Sequence, residues 1–396
     1  MSSTARQEVL ALIGKRGRIT FAEFMETALY HTRGGYYTRG PDSAAGADYY
    51  TSPAAHPAFG AAIAVQLSRM WELLDRPARF TAVEMGVGSG LLARDVVSYA
   101  GRALEPFADA LRYVTLDRAR LPDVTGFAQH VVATGTPLRG VVGCLLSNEL
   151  LDAFPVHRFE MRDGRILEVY VVVRDGELSE ALDEPSTPLL ARHVDRPGWE
   201  LAEGFRGEVD LHIGPWMAGV AGALERGFVL TVDYGYTRQE LYSAERGGGT
   251  VQGYYRHTGG ASPYQRVGEQ DITAHVDFTH VVEEGRRVSL SPLGIGTQTG
   301  FLRELGLSGW LDRMRREPMA ESLRQANLMG MRDLVKPDGL GGFKVLVQEK
   351  GTGLAELPEQ TVPAAEGLPL PLLGPEHAPL LEGRYPHLTW EPDEAR

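Results

Sequence analysis

The sequence predicts an α/β fold: a parallel, Rossmann-like core with a helical N-terminal lead-in and a large inserted α+β region. Three observations carry this. Between Phe80 and Leu151 short apolar runs alternate with a helix-forming stretch, the pattern of a parallel sheet. The first of those runs ends in Gly86, Gly88 and Gly90 and leads into a helix. Around Asp163-Gly164 two alternating segments flank a hairpin turn, which belongs to an antiparallel insertion and not to the parallel core.

In chain order, residues 1–79 are the helical lead-in and a covering loop. Thr20 with Glu23 three residues on is a capping box, and Gly34-Gly35 breaks the helix near His31. Pro57 to Leu74 has helical spacing of apolar residues. Residues 80–151 are the first part of the core, with strands Phe80 to Glu84, Leu111 to Leu116 and Val141 to Leu146, and a helix from Leu91 to Ala100. Residues 152–227 form the inserted α+β region, with strands His157 to Met161 and Leu167 to Val173. Residues 228–350 complete the core, with strands Phe228 to Val232 and Phe343 to Gln348 and long loops between them. The segment 351–396 holds eight of the 24 prolines and reads as an extended tail, either weakly ordered or wrapped over the body.

Composition excludes several functions. The 396 residues carry a formal net charge of -12, which disfavours a nucleic-acid backbone as partner and suits a cationic one. The single cysteine, Cys144, makes no internal disulfide and no cysteine-based zinc site, and its apolar run marks it as a buried residue. No run reaches the roughly 18 apolar residues that span a membrane. Without a targeting pattern at Met1 to Leu12, the cytoplasm is the expected location. A homodimer is an allowed assembly.

The glycine turn is the first functional signal. Glycines let a backbone approach a ligand closely, and a helix N-terminus follows. The spacing from Gly86 is G-x-G-x-G and not the dinucleotide pattern, because Leu91 stands where a glycine or alanine is needed. Glu84 at the strand end repels a pyrophosphate and suits a ligand with an ammonium group, such as the methionine part of S-adenosylmethionine (SAM). Asp117, ending the next strand, is placed for ribose hydroxyls.

With these residues the chain resembles the MidA-like class I SAM-dependent methyltransferases, a family that includes the mitochondrial arginine methyltransferase assisting assembly of respiratory complex I. The resemblance spans about residues 18 to 350. It is carried by Gly34-Gly35-Tyr36-Tyr37, by Asp48-Tyr49-Tyr50-Thr51-Ser52-Pro53 and by the turn Glu84 to Gly90. It continues in Ser147-Asn148-Glu149-Leu150-Leu151-Asp152-Ala153-Phe154-Pro155-Val156-His157, in Asp233-Tyr234-Gly235-Tyr236 and in Gly268 to Phe278. It implies a Rossmann-like class I methyltransferase core with SAM held by Tyr36, Thr51, Ser52, Pro53, Glu84, Gly86, Gly88, Gly90, Asp117 and Asn148. One departure stands out. After T-S-P the family has Glu and, a few residues later, Gln; here the stretch is Ala54-Ala55-His56-Pro57, expected near the cofactor and substrate entrance.

Methyl transfer from an activated donor mainly requires positioning of the nucleophile. A guanidinium nucleophile is protonated at ordinary pH and needs carboxylates to hold it. Glu149 and Asp152 are the candidates: if Asn148 opens a helical turn, both share one face. His157 is a candidate general base or a polar residue of the hairpin. Tyr37, Asp233, Tyr234, His257, Asp271 and His275 are candidate substrate residues. Asp271, His275 and Asp277 are spaced too irregularly for a metal site, so no metal is expected. The acceptor stays open between an arginine of a partner protein and a small molecule. A non-catalytic SAM-binding assembly factor is the third reading, against which the intact Glu84, glycines, Asp117 and Asn148-Glu149 count.

Overall fold

A computed structural model describes residues 4–38, 50–119, 126–194, 201–255, 258–358 and 367–377. The chain divides into two compact units. One comprises Tyr50–Asn148, Gly219–Asp233 and Ser289–Arg396, the other Met1–Tyr49, Glu149–Ala218 and Tyr234–Val288.

The first unit is built on a seven-stranded sheet. Its order is Ser291–Thr297, Lys344–Lys350, Leu224–Asp233, Val141–Asn148, Phe80–Met85, Leu111–Asp117, Gln129–Val132. The last five of these pair in parallel, whereas Lys344–Lys350 runs antiparallel to both of its neighbours. This is the class I methyltransferase sheet that the resemblance implies. The central strands are apolar runs because both faces are covered: Phe80, Ala82, Cys144, Leu146, Phe228 and Leu230 are buried on one face and Val83, Leu145 and Val229 on the other. The strand order reverses between Phe80–Met85 and Val141–Asn148, and ligands of such sheets bind beyond the carboxyl ends of the strands at that point.

The other unit is α+β. An antiparallel sheet joins Ile19–Thr20, Arg165–Arg174, His157–Arg162 and Arg206–Val209, with Glu177–Asp183 on Arg165–Arg174. The hairpin turns at Asp163 and Gly164, both with positive φ. The predicted capping box is present: Glu23 N donates to Thr20 Oγ1 at 3.1 Å and Thr20 N to Glu23 Oε2 at 2.9 Å, at the head of helix Phe21–Tyr30.

The units divide the chain differently from the five consecutive segments. Residues 58–73 belong with the sheet, because helix Ala58–Leu73 is apolar nearly all round and buries Phe59, Ile63, Leu67 and Trp71 in the sheet cluster. Residues 234–288 leave the sheet unit altogether. Strand Ser291–Thr297 is not legible in the sequence, since its Pro292, Gly294 and Gly296 read as loop. Of the tail, residues 367–377 are packed, and Leu370 lies in the sheet cluster. Among the described residues no helix is long and apolar enough to cross a membrane.

Candidate functional site

In the sheet unit, Gly86, Gly88 and Gly90 take φ of 74°, 55° and 78°, which a β-carbon disfavours. Gly90 starts helix Leu91–Ala103. The turn is tied to the next strand: Val87 N donates to Asp117 Oδ2 at 3.0 Å, and Ala119 N donates to Oδ1 at 2.9 Å. A carboxylate has about four lone-pair sites, so Asp117 keeps acceptor capacity for hydroxyl groups. A β-carbon built at Gly88 meets nothing within 4 Å, so the space against the turn is open. Open space, a helix N-terminus and a fixed carboxylate together fit a SAM site. Asn148 ends the strand beside Phe80–Met85 and pairs with Val232.

Glu84 differs from its expected part. It is buried, and Tyr113 Oη donates to its Oε2 at 2.8 Å. Burial pushes its carboxyl up to about 8, so at neutral pH it is mostly protonated and not a fixed negative charge.

Thr51, Ser52 and Pro53 open the short helix Ser52–Ala55. Thr51 Oγ1 accepts from Ala54 N at 3.4 Å, and Ser52 and Pro53 are buried. Ser52 Oγ donates to Gln298 Oε1 at 3.0 Å. The preceding Asp48 and Tyr49 lie outside the described residues. Of the departing stretch, Ala55, His56 and Pro57 are buried and Ala54 is half-buried. His56 is 0% exposed, its Nδ1 accepts from Ala58 N at 3.0 Å, and its Nε2 faces Asn327 Oδ1 at 3.1 Å. Burial pushes the imidazole down to about 3, so it stays neutral.

In the other unit, Glu149 has φ of 51°, the left-handed region. No helical turn therefore starts at Asn148. Leu151–Ala153 is a single 3₁₀ turn without a side-chain cap, and the expected shared helical face of Glu149 and Asp152 is not formed. Asp152 is buried, and its carbonyl accepts from Ala274 N at 2.9 Å. Burial pushes its carboxyl up to about 6, while the nearby Tyr234 hydroxyl and the amides of Ala153 and Asp152 favour the ionised form and pull it down.

Tyr234 meets His275 edge-on at 5.2 Å, and Tyr236 lies 5.3 Å from the same imidazole. Burial and, after it, the Arg246 charge lower His275 to about 4, so it is neutral. Gly235 makes this grouping possible: it pairs with Val276, and a β-carbon there would stand 2.2 Å from the Val276 carbonyl oxygen. Asp152, Tyr234 and His275 are thus gathered from three distant segments. Asp233, by contrast, is buried in its strand opposite Lys344.

Of the remaining candidates, Asp271 and Tyr37 stay beside this group through Tyr254, and the others separate. Asp271 is 1% exposed, accepts from Tyr37 Oη at 2.5 Å and pairs across the strands with Tyr254. Tyr254 escapes sequence reasoning because Gln252–Tyr255 reads as part of a Gly/Tyr-rich loop; burial, then the charges of Asp152 and Asp271, raise its phenol. Tyr36 is 3% exposed and packs in the apolar cluster of the N-terminal helices. His157 Nδ1 lies 2.7 Å from the buried Glu168 Oε1, a hydrogen-bonded contact within the antiparallel sheet. Asp277 caps helix Phe278–Arg287 and pairs with Arg238 at 2.8 Å, apart from Asp271. His257 lies outside the described residues.

A family model described as "Putative S-adenosyl-L-methionine-dependent methyltransferase" matches residues 62–296, more than half of the chain. The chain is 26% identical over 397 residues to the protein arginine methyltransferase NDUFAF7 homolog, mitochondrial, of Drosophila melanogaster, covering 90% of this chain and 87% of the relative. It is 26% identical over 370 residues to protein arginine methyltransferase NDUFAF7, mitochondrial, of Rattus norvegicus, covering 83% and 80%. A protein from Burkholderia thailandensis, crystallised with S-adenosyl-homocysteine, is 25% identical with a TM-score of 0.78, over 89% of this chain and 93% of its own. The expectation of a cytoplasmic location is corrected by these findings, because the curated relatives are named as mitochondrial.

Proposed function

The chain belongs to this S-adenosyl-L-methionine-dependent methyltransferase family, and on that premise we propose that its acceptor is the guanidinium of an arginine in a partner protein. The chain is an enzyme, SAM is its methyl donor, and its reaction requires a methyl acceptor. The observation that carries the choice of acceptor is the buried Asp152 carboxyl, in a chain similar over most of its length to enzymes named as protein arginine methyltransferases.

Gly86, Gly88, Gly90 and Asp117 would hold the cofactor. SAM supplies, when bound, a methyl group on a sulfonium and so needs no further activation. The chain must position a poor nucleophile, since guanidinium carries its proton at all ordinary pH. In this reading Glu149 and Asp152 hold the cation through charge-assisted hydrogen bonds. One proton must leave as the new N–C bond forms, and Asp152 is the carboxylate proposed to take it. Tyr234 restrains that carboxyl from rising further, and the neutral His275 adds no repulsion toward a cation. His157, committed to Glu168, stays a sheet residue in this reading.

The small-molecule alternative remains the second reading. The test is transfer of labelled methyl from SAM into cell lysate. Label should appear in protein and be released as methylarginine on acid hydrolysis. Label confined to the small-molecule fraction would overturn the reading.

A further inference from the structure

Residues 367–377 lie against the sheet unit through contacts of several kinds. Leu370 is buried in its apolar cluster. Tyr99 Oη donates to the Pro369 carbonyl at 2.9 Å, and Arg313 donates to that of Leu368. Leu373 N donates to Asn327 Oδ1 at 3.0 Å, the same oxygen that faces His56. The segment closes in a turn where Gly374 N donates to His377 Nδ1 at 3.2 Å. With Nδ1 accepting, the proton is assigned to Nε2, which donates to Asp95 Oδ2 at 3.1 Å. Glu376 pairs with Arg94.

Arg94, Asp95 and Tyr99 all lie on helix Leu91–Ala103, which begins at Gly90 of the glycine turn. Arg94 N bonds the Gly90 carbonyl at 3.1 Å. The helix is also pressed close to helix Ala58–Leu73: a β-carbon at Gly60 would stand 2.4 Å from Asp95 Cβ. Asp95 is therefore fixed between helix Ala58–Leu73 and the C-terminal segment, one turn from the glycine turn. Burial pushes its carboxyl up, and the bond from His377 holds it down.

We propose that residues 367–377 form a strap belonging to the cofactor site, with His377, through Asp95, as a positioning residue for the helix that closes the glycine turn. It rests on SAM binding at that turn. The docked strap holds Leu91–Ala103 at the height and angle the cofactor requires, so cofactor affinity depends on residues that never touch it.

The test is calorimetry with S-adenosyl-homocysteine on the full chain, on a chain ending at His377, on a chain ending at Glu366, and on His377→Gln and His377→Asn in the full chain. Gln keeps a donor where Nε2 stands, whereas Asn keeps only the acceptor where Nδ1 stands. The chain ending at Glu366 should bind about tenfold more weakly than the one ending at His377, and a peptide of residues 367–377 added in trans should restore it. His377→Asn should weaken binding several-fold, with His377→Gln close to the parent. A Glu366-terminated chain that keeps its circular dichroism and binds unchanged would overturn the strap. Should that chain not fold, equal affinities for the Gln and Asn variants would overturn it, since packing alone does not distinguish them. No heat from the full chain would instead remove the premise of cofactor binding at the turn.

Discussion

Tyr113 donates its hydroxyl to Glu84 Oε2 at 2.8 Å, inside the sheet, from the strand next to the one that carries the glycine turn. The folded protein holds the Glu84 proton up to about pH 8, whereas an ordinary glutamate releases it near 4.5. Between those values the folded form binds more protons than the unfolded one, so this carboxyl costs stability increasingly as pH rises. Glu84→Gln cannot titrate and keeps an acceptor for Tyr113. Relative to the parent, it should gain on the order of a few kcal/mol between pH 5 and pH 8.5. Urea midpoints at the two pH values measure this, and parallel profiles would refute it.

Asp152 sets the acid limit of the reaction. Its carboxyl, pushed up to about 6, must be ionised to hold a cationic acceptor. Methyl transfer should fall as pH drops through about 6. Tyr234→Phe removes a hydroxyl that favours the ionised form, so it should move this limb to higher pH. Asp152→Asn should lose transfer by about a hundredfold, matching a lost charge-assisted bond of 1.5–3 kcal/mol, with cofactor affinity unchanged. Rates against pH, with calorimetry beside them, decide the matter; a limb that ignores Tyr234 would remove Asp152 from the role.

At the glycine turn, backbone strain and ligand space can be separated. Gly88 has φ of 55° and open space beyond it. Gly88→Ala should cost about 1–2 kcal/mol of stability through its backbone alone. Gly88→Asp adds a carboxylate in the open space and should abolish calorimetric binding of S-adenosyl-homocysteine in protein that still folds. Retained binding by the Asp variant would move the cofactor away from this turn.

Much of the local structure of both units was legible because its signals lie close together in sequence. The capping box at Thr20 and Glu23, the turn from Gly86 to Gly90 and the apolar strands each lie within a few residues. The grouping of Asp152, Tyr234 and His275 was not legible, because strand pairing and not spacing brings those segments together. The charge state of Glu84 escaped for a related reason: a motif shows the residue but not the Tyr113 packed over it.

Gly235 tests that strand contact directly. A β-carbon there would stand 2.2 Å from Val276 O, against backbone that cannot step aside. Gly235→Ala should therefore cost about 2–4 kcal/mol. Thermal unfolding should register the loss, and a variant as stable as the parent would show that the two strands part easily.

Glu149 carries the sharpest separation of stability from function. Its φ of 51° costs a residue with a β-carbon about 1–2 kcal/mol that glycine does not bear. Such strain persists where the surrounding structure over-determines it, often at a functional residue. Glu149→Gly should therefore fold more stably than the parent by up to about 1 kcal/mol, the strain relief being partly offset by the freer unfolded chain. Glu149→Gln keeps the strained backbone and should match the parent in stability. If the carboxylate holds the acceptor, both variants lose methyl transfer and both still bind S-adenosyl-homocysteine. If Glu149 is only a turn residue, Glu149→Gln transfers methyl groups like the parent. Denaturant midpoints and labelled-methyl rates on the same three proteins distinguish these outcomes, because strain follows the backbone and catalysis follows the charge.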